Sequence, residues 1–135
     1  MAEGVFSKLE ESLQKALEER KWTPTPVQHV TQDEIAAGHD RLVVAPTGSG
    51  KTMAAILPLL DRCLRQEWTG MSILYITPLR ALNRDVDRRL EEITSAVGLS
   101  LGLRHGDTPQ SERNRHVRKP PNVMITTPET FQLMF

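Results

Sequence analysis

Residues 45–52 read Ala-Pro-Thr-Gly-Ser-Gly-Lys-Thr and follow directly on the apolar run Leu42-Val43-Val44. A short apolar strand entering a glycine-rich turn, then Lys-Thr, then a helix-forming segment is the layout of a phosphate-binding loop. Gly48 and Gly50 can take backbone angles closed to other residues, and they leave room for close approach. Successive N–H groups then converge on one concavity. The helix behind leaves its first N–H groups unpaired and places about +0.5 charge at its N-terminus, which suits a polyphosphate. Lys51 is expected to reach the β- and γ-phosphates as a point charge. The Thr52 hydroxyl is expected to ligate Mg2+, a cation that takes few protein ligands beside phosphate oxygens. The candidate site is therefore Ala45, Pro46, Thr47, Gly48, Ser49, Gly50, Lys51 and Thr52, with Ala45 standing where the generic pattern has its first glycine.

Length and composition suit one globular domain: 135 residues, 25% charged and 39% hydrophobic. No apolar run approaches membrane-spanning length, since Ala54–Leu60 contains Pro58 and is flanked by charge. The N-terminus lacks a basic-then-apolar leader, so a cytoplasmic, intracellular protein is expected. Cys63 is the single cysteine and sits at helical spacing with Leu57, Leu60 and Leu64, which predicts a buried apolar role. His29, His39, His105 and His116 lack metal-ligand spacing. Net charge is zero but unevenly spread. Residues 80–119 carry nine Lys/Arg against six Asp/Glu, a modest basic surplus that suits a polyanion.

Ser7-x-x-Glu10 reads as a capping box opening a helix, with Leu9, Leu13, Ala16 and Leu17 on one face. Thr23-Pro24-Thr25-Pro26 breaks it, and Val27–Ala37 reads as a second helix stopped by Gly38. Leu42–Ala45 is expected to be the first strand, and Lys51 to about Arg65 the helix of the phosphate loop, with Pro58 distorting it locally. Strands are predicted at Ser72–Thr77, Ser100–Arg104 and Val123–Thr126. Helices are predicted at Leu79–Val97, Gln110–Val117 and from Pro128. The first of these helices rests on the spacing of Leu79, Leu82, Val86, Leu90, Ile93 and Val97. Strands alternating with helices predict an α/β fold, a mainly parallel sheet with helices on both faces. In such sheets ligands bind at loops leaving the carboxyl ends of strands. Three of these loops are polar: Thr77-Pro78-Leu79-Arg80, His105-Gly106-Asp107-Thr108 and Thr127-Pro128-Glu129.

Taken together, these motifs resemble the first RecA-like motor domain of superfamily 2 helicases, over nearly all of the chain. Thr23-Pro24-Thr25-Pro26-Val27-Gln28 is similar to the Q-motif region, and residues 45–52 match the family form A-x-T-G-S-G-K-T, which accounts for Ala45. Pro78-Leu79-Arg80-Ala81-Leu82-Asn83 resembles motif Ia, and Ile125-Thr126-Thr127-Pro128-Glu129-Thr130 resembles motif Ib. With Arg104-His105-Gly106-Asp107-Thr108 and Ser111-Glu112-Arg113, the set most resembles the large helicase-related (Lhr) branch. The Thr-Arg-Glu-Leu-Ala form of motif Ia typical of DEAD-box proteins is lacking.

The resemblance implies a P-loop NTPase domain, residues 42–135, preceded by N-terminal helices and the Q-motif-like region in residues 1–41. It implies ATP with Mg2+ as cofactors, with Lys51 and Thr52 in catalytic roles and Thr52 on the metal. Gln28 would read the adenine edge, since an amide can pair bidentately with N6 and N7. Phe6 and Trp22 are both candidates to stack on the base. Arg80, Gly106, Asp107 and Thr127 would line the path of one nucleic acid strand, by branch resemblance DNA. Such contacts are salt-dependent and largely blind to sequence.

The family's Asp-Glu box, expected after motif Ib, has no counterpart here, because Asp33-Glu34 lies before the phosphate loop. The second motor domain with its arginine finger is not present either. The sequence therefore reads as the N-terminal part of motor domain 1, expected to act with the remainder of a helicase chain and to hydrolyse ATP poorly alone. The family fold also implies that later strands flank the phosphate-loop strand, so exposed edges are expected here. Alternatives from the residues are a non-catalytic nucleotide or nucleic-acid binding module, an RNA helicase, and a kinase or GTPase. The Gln28 region and the Thr127-Pro128-Glu129 loop argue against the last.

Overall fold

The structure, a computed structural model, describes residues 4–46, 48–78 and 84–134. The chain forms two compact units, residues 1–67 and 68–135.

The first unit is helical. A short 3₁₀ helix, Gly4–Lys8, leads into α1 (Glu11–Glu19), followed by α2 (Pro26–Ala36) and α3 (Lys51–Arg65). The Ser7-x-x-Glu10 capping box does not form as expected. Glu10 is itself the N-cap, with extended backbone angles, and its carboxylate accepts from the Ser12 N–H at 3.0 Å. Its own N–H donates to Asp61 Oδ1 of α3 at 2.6 Å, which ties the helix start to a partner far along the chain. Leu9, Leu13, Ala16 and Leu17 are buried as their spacing predicts. Phe6, Met53, Ala54, Ile56, Leu57, Leu60 and Cys63 are buried with them among the described residues of this unit. α3 runs unbroken through Pro58.

The second unit is α/β. It contains β1 (Ile73–Ile76), α4 (Arg84–Ala96), β2 (Leu101–Arg104), α5 (Gln110–Arg118), β3 (Val123–Thr126) and α6 (Pro128–Met134). The strands form a parallel sheet in the order β1-β3-β2, with Ile73 and Leu101 both in register with Val123. Central β3 is buried at all four positions, as a continuous apolar run demands when both faces are covered. β1 lies at an edge, and Ile76 at its end stays 43% exposed. Within α4, Leu90 and Ile93 are fully buried. The predicted start of that helix at Leu79–Asn83 lies outside the described residues.

The expected first strand, Leu42–Ala45, is not a strand in this structure. Leu42 is 91% and Val44 86% exposed, and among the described residues no ladder partner faces them. β-structure needs a neighbour for its N–H and C=O groups, and an apolar tetrapeptide cannot supply one itself.

Candidate functional site

The phosphate-type loop enters α3 through two glycines in the left-handed region, Gly48 at φ +82° and Gly50 at φ +90°. Gly50 is the N-cap of α3, and its carbonyl accepts the first helical bond from the Ala54 N–H at 2.9 Å. The preceding turn is closed by the Ser49 N–H on the Pro46 carbonyl at 3.2 Å. Space separates the two glycines. A Cβ at Gly48 would meet nothing within 4 Å, whereas one at Gly50 would lie 2.8 Å from Gln28 Nε2 and 2.9 Å from Thr25 Oγ1.

Gln28 is therefore part of the loop's support. Its Nε2 donates to the Gly50 carbonyl at 3.2 Å, and its Oε1 accepts from the Thr25 N–H at 3.0 Å. The residue is buried. Sequence reasoning singled out Gln28 but missed this bond. The Thr25-x-x-Gln28 spacing, a capping-box signature at the start of α2, was the signal that places the amide there.

Lys51 is exposed and its Nζ donates to the Ala45 carbonyl at 2.7 Å. Ser49 Oγ is a buried polar atom with no partner among the described residues. Thr52 sits in the first turn of α3, and Thr47 lies outside the described residues. An unpaired hydroxyl, a lysine head at the loop mouth and a helix N-terminus behind left-handed glycines fit a polyphosphate. Of the two candidate aromatics, Phe6 is buried in the core, while Trp22 is half-buried just beyond α1.

The second unit holds the other candidates. Arg80 lies outside the described residues. The loop after β2 is braced by Thr108, whose Oγ1 accepts from the His105 N–H at 2.8 Å. His105 Nδ1 accepts from the Asp107 N–H at 3.0 Å. Gly106 and Asp107 are exposed at the tip. Thr127 is buried, and its Oγ1 caps α6 by accepting from the Thr130 N–H at 3.3 Å.

Two titratable groups are shifted nearby. Burial raises the Asp87 carboxyl above the ordinary range, with Glu91 adding to the shift and His105 opposing it. Burial lowers His116, with Arg115 and Arg104 adding and Glu112 opposing. Among the described residues no cluster of His, Cys, Asp or Glu could hold a metal ion. Nor is any described helix long and apolar enough to cross a membrane.

A family model for the DEAD/DEAH box helicase matches residues 25–135, from the N-cap of α2 onward. The chain belongs to this family. Among curated relatives, the Lhr helicase/uracil glycosylase of Escherichia coli is 41% identical over 132 residues, covering 82% of this chain and 9% of its own. The ATP-dependent helicase Lhr-Core of Methanocaldococcus jannaschii is 32% identical, covering 97% of this chain and 18% of its own. A solved structure of Mycobacterium smegmatis helicase Lhr bound to ssDNA and AMP-PNP superposes with a TM-score of 0.83 at 34% identity. That match covers 98% of this chain and 18% of the other. The family assignment agrees with the Lhr-like reading of the motifs, and the incomplete RecA-like fold agrees with the expected fold class. The chain spans less than a fifth of the length of each of these relatives.

Proposed function

We propose that this chain is the ATP-binding part of an ATP-dependent nucleic-acid helicase or translocase, acting on DNA and within a longer motor. The observation that carries the reading is the joint between two motifs: Gln28 of the Q-motif region is bonded to Gly50 of the phosphate loop. That joint suits a site in which base recognition and phosphate binding are read together.

In this reading Ala45, Pro46, Thr47, Gly48, Ser49 and Gly50 form the loop around the phosphates, and all but Pro46, which has no N–H, offer backbone N–H groups. Lys51 transfers its donor from the Ala45 carbonyl to a phosphate oxygen, and Thr52 holds Mg2+. ATP with Mg2+ supplies the transferable phosphoryl group, and the chain's own residues position it. Each end of the Gln28 amide is engaged once in the structure. A primary amide has two N–H donors and two lone pairs, so one of each remains for adenine. Arg80, Gly106, Asp107 and Thr127 line the strand path. Asp107 cannot favour phosphate and suits a base or sugar donor, while Gly106 lets a phosphate come close. Support for DNA comes from the Mycobacterium smegmatis Lhr structure bound to ssDNA and from a structure of helicase MrfA bound to DNA, 29% identical with a TM-score of 0.75.

The test is Lys51→Ala in the full-length protein. Removing one such donor is expected to slow strand-stimulated ATP hydrolysis by about 10²–10³-fold. Unchanged turnover would sink the reading.

A further inference from the structure

Arg113 lies in the second turn of α5 and is half-buried, unlike its exposed neighbours Arg115 and Arg118. Its guanidinium points back into the loop after β2. Nε donates to the Thr108 carbonyl at 3.1 Å, and Nη2 donates to the His105 carbonyl at 2.9 Å and the Gly106 carbonyl at 3.2 Å. One planar fork thus gathers three carbonyls of a four-residue loop. A lysine ammonium, a single point on a flexible stem, cannot reproduce that geometry.

The consequence falls on the loop's outer face. No peptide bond described in this chain is cis. In a trans peptide the C=O and the following N–H point in opposite directions. With the His105 carbonyl turned to Arg113, the Gly106 N–H is turned away from it. Gly106 is exposed, and a Cβ there would meet nothing within 4 Å, so no neighbouring group crowds the residue. Thr108 Oγ1 holds the loop from the other side, through the His105 N–H and, at 3.3 Å, the Leu103 carbonyl.

We infer that Arg113 is a positioning residue for nucleic-acid binding: it withdraws the carbonyls of the 105–108 loop from the surface and presents the Gly106 N–H to a strand phosphate, without touching the strand itself. This rests on the proposed function, in which the loop lines the strand path.

The test uses the full-length protein and a fluorescent single-stranded DNA oligonucleotide, with Kd measured across salt concentrations. Arg113→Ala and Arg113→Lys are both expected to weaken binding by about tenfold, the scale of one lost pre-organised contact. The slope of log Kd against log salt should match wild type in both, whereas removing a direct phosphate contact lowers it by about 1. Thr108→Val loosens the same loop while leaving every charge in place, and should weaken binding likewise. Nucleotide affinity without DNA should stay at the wild-type value in all three, which separates lost positioning from lost folding. Full rescue by Arg113→Lys, a reduced slope in Arg113→Ala, or wild-type affinity in Arg113→Ala and Thr108→Val would each overturn the inference. A wild-type protein that binds no strand at all would instead remove the functional reading on which it rests.

Discussion

The side-chain amide of Gln28 donates to the carbonyl of Gly50 at 3.2 Å, across 22 residues of sequence. Its other end accepts from the Thr25 N–H, so one buried side chain fixes both the start of α2 and the N-cap of α3. Gln28→Ala leaves those backbone groups without their partners, at about 1–3 kcal/mol for a buried unsatisfied group. Gln28→Glu keeps the acceptor for Thr25 but turns a carboxylate oxygen toward the Gly50 carbonyl. Both variants are expected to weaken ATP binding, and Glu at least as much as Ala despite its closer shape. Calorimetric titration of ATP into the full-length variants checks this, and wild-type affinity in Gln28→Glu would refute it.

The two loop glycines should differ in their tolerance. Gly48→Ala meets only backbone strain, because its φ is positive but its surroundings are open. That costs about 1–2 kcal/mol. Gly50→Ala carries the same strain and also drives a Cβ to 2.8 Å from Gln28 Nε2 and 2.9 Å from Thr25 Oγ1. The larger loss of nucleotide affinity is expected at Gly50. Adding Gln28→Ala to Gly50→Ala relieves part of the clash, so the double variant should lose less than the two single losses summed. Strict additivity would show that the glycine and the glutamine do not press on each other.

Much of this architecture is local and so legible. Val123–Thr126 is a strand because four consecutive apolar or β-branched residues suit a central position, and Leu13, Ala16 and Leu17 are buried because helical spacing places them on one face. What stayed hidden is non-local. Glu10 begins a helix where Ser7 was expected to, because Asp61, 51 residues on, takes its N–H. Leu42-Val43-Val44 has the composition of a strand, but composition cannot provide a neighbour. At the candidate site the glycines and Lys51 are plain from spacing. The grip of Gln28 on Gly50 and of Arg113 on its loop depends on which turns the fold brings together.

Asp61 makes a quantitative case for that long-range tie. It is buried and accepts from both the Glu10 N–H at 2.6 Å and Arg65 Nε at 2.9 Å. Arg65 in turn donates to the Lys8 carbonyl at 2.9 Å, so the start of α1 and the 3₁₀ turn are held to one face of α3. Asp61→Ala is expected to destabilise the first unit by about 1–3 kcal/mol, the scale of a buried group left without its partner. Arg65→Ala should cost less, since its side chain is half exposed and water can replace it. Urea unfolding followed at Trp22 orders the two variants, and a larger effect at Arg65 would contradict the assignment.

Two shifted groups in the second unit should give stability opposite slopes in different pH windows. His116 is held below the ordinary histidine range, so the unfolded chain takes up a proton that the native ring resists. The neutral ring's contribution is present above about 6.5 and is lost as pH falls through the lowered folded value. Asp87 is held above the ordinary carboxylate range, so its contribution is present at low pH and is lost as pH rises through the raised folded value. His116→Gln should therefore flatten the acid side of the profile just below neutrality. Asp87→Asn should stabilise the protein at neutral pH and have no such effect below the ordinary carboxylate range. Urea midpoints measured from about pH 3 to about pH 8 test both, and an Asp87→Asn gain that persists unchanged at the acid end would show that desolvation of the carboxylate is not its cause.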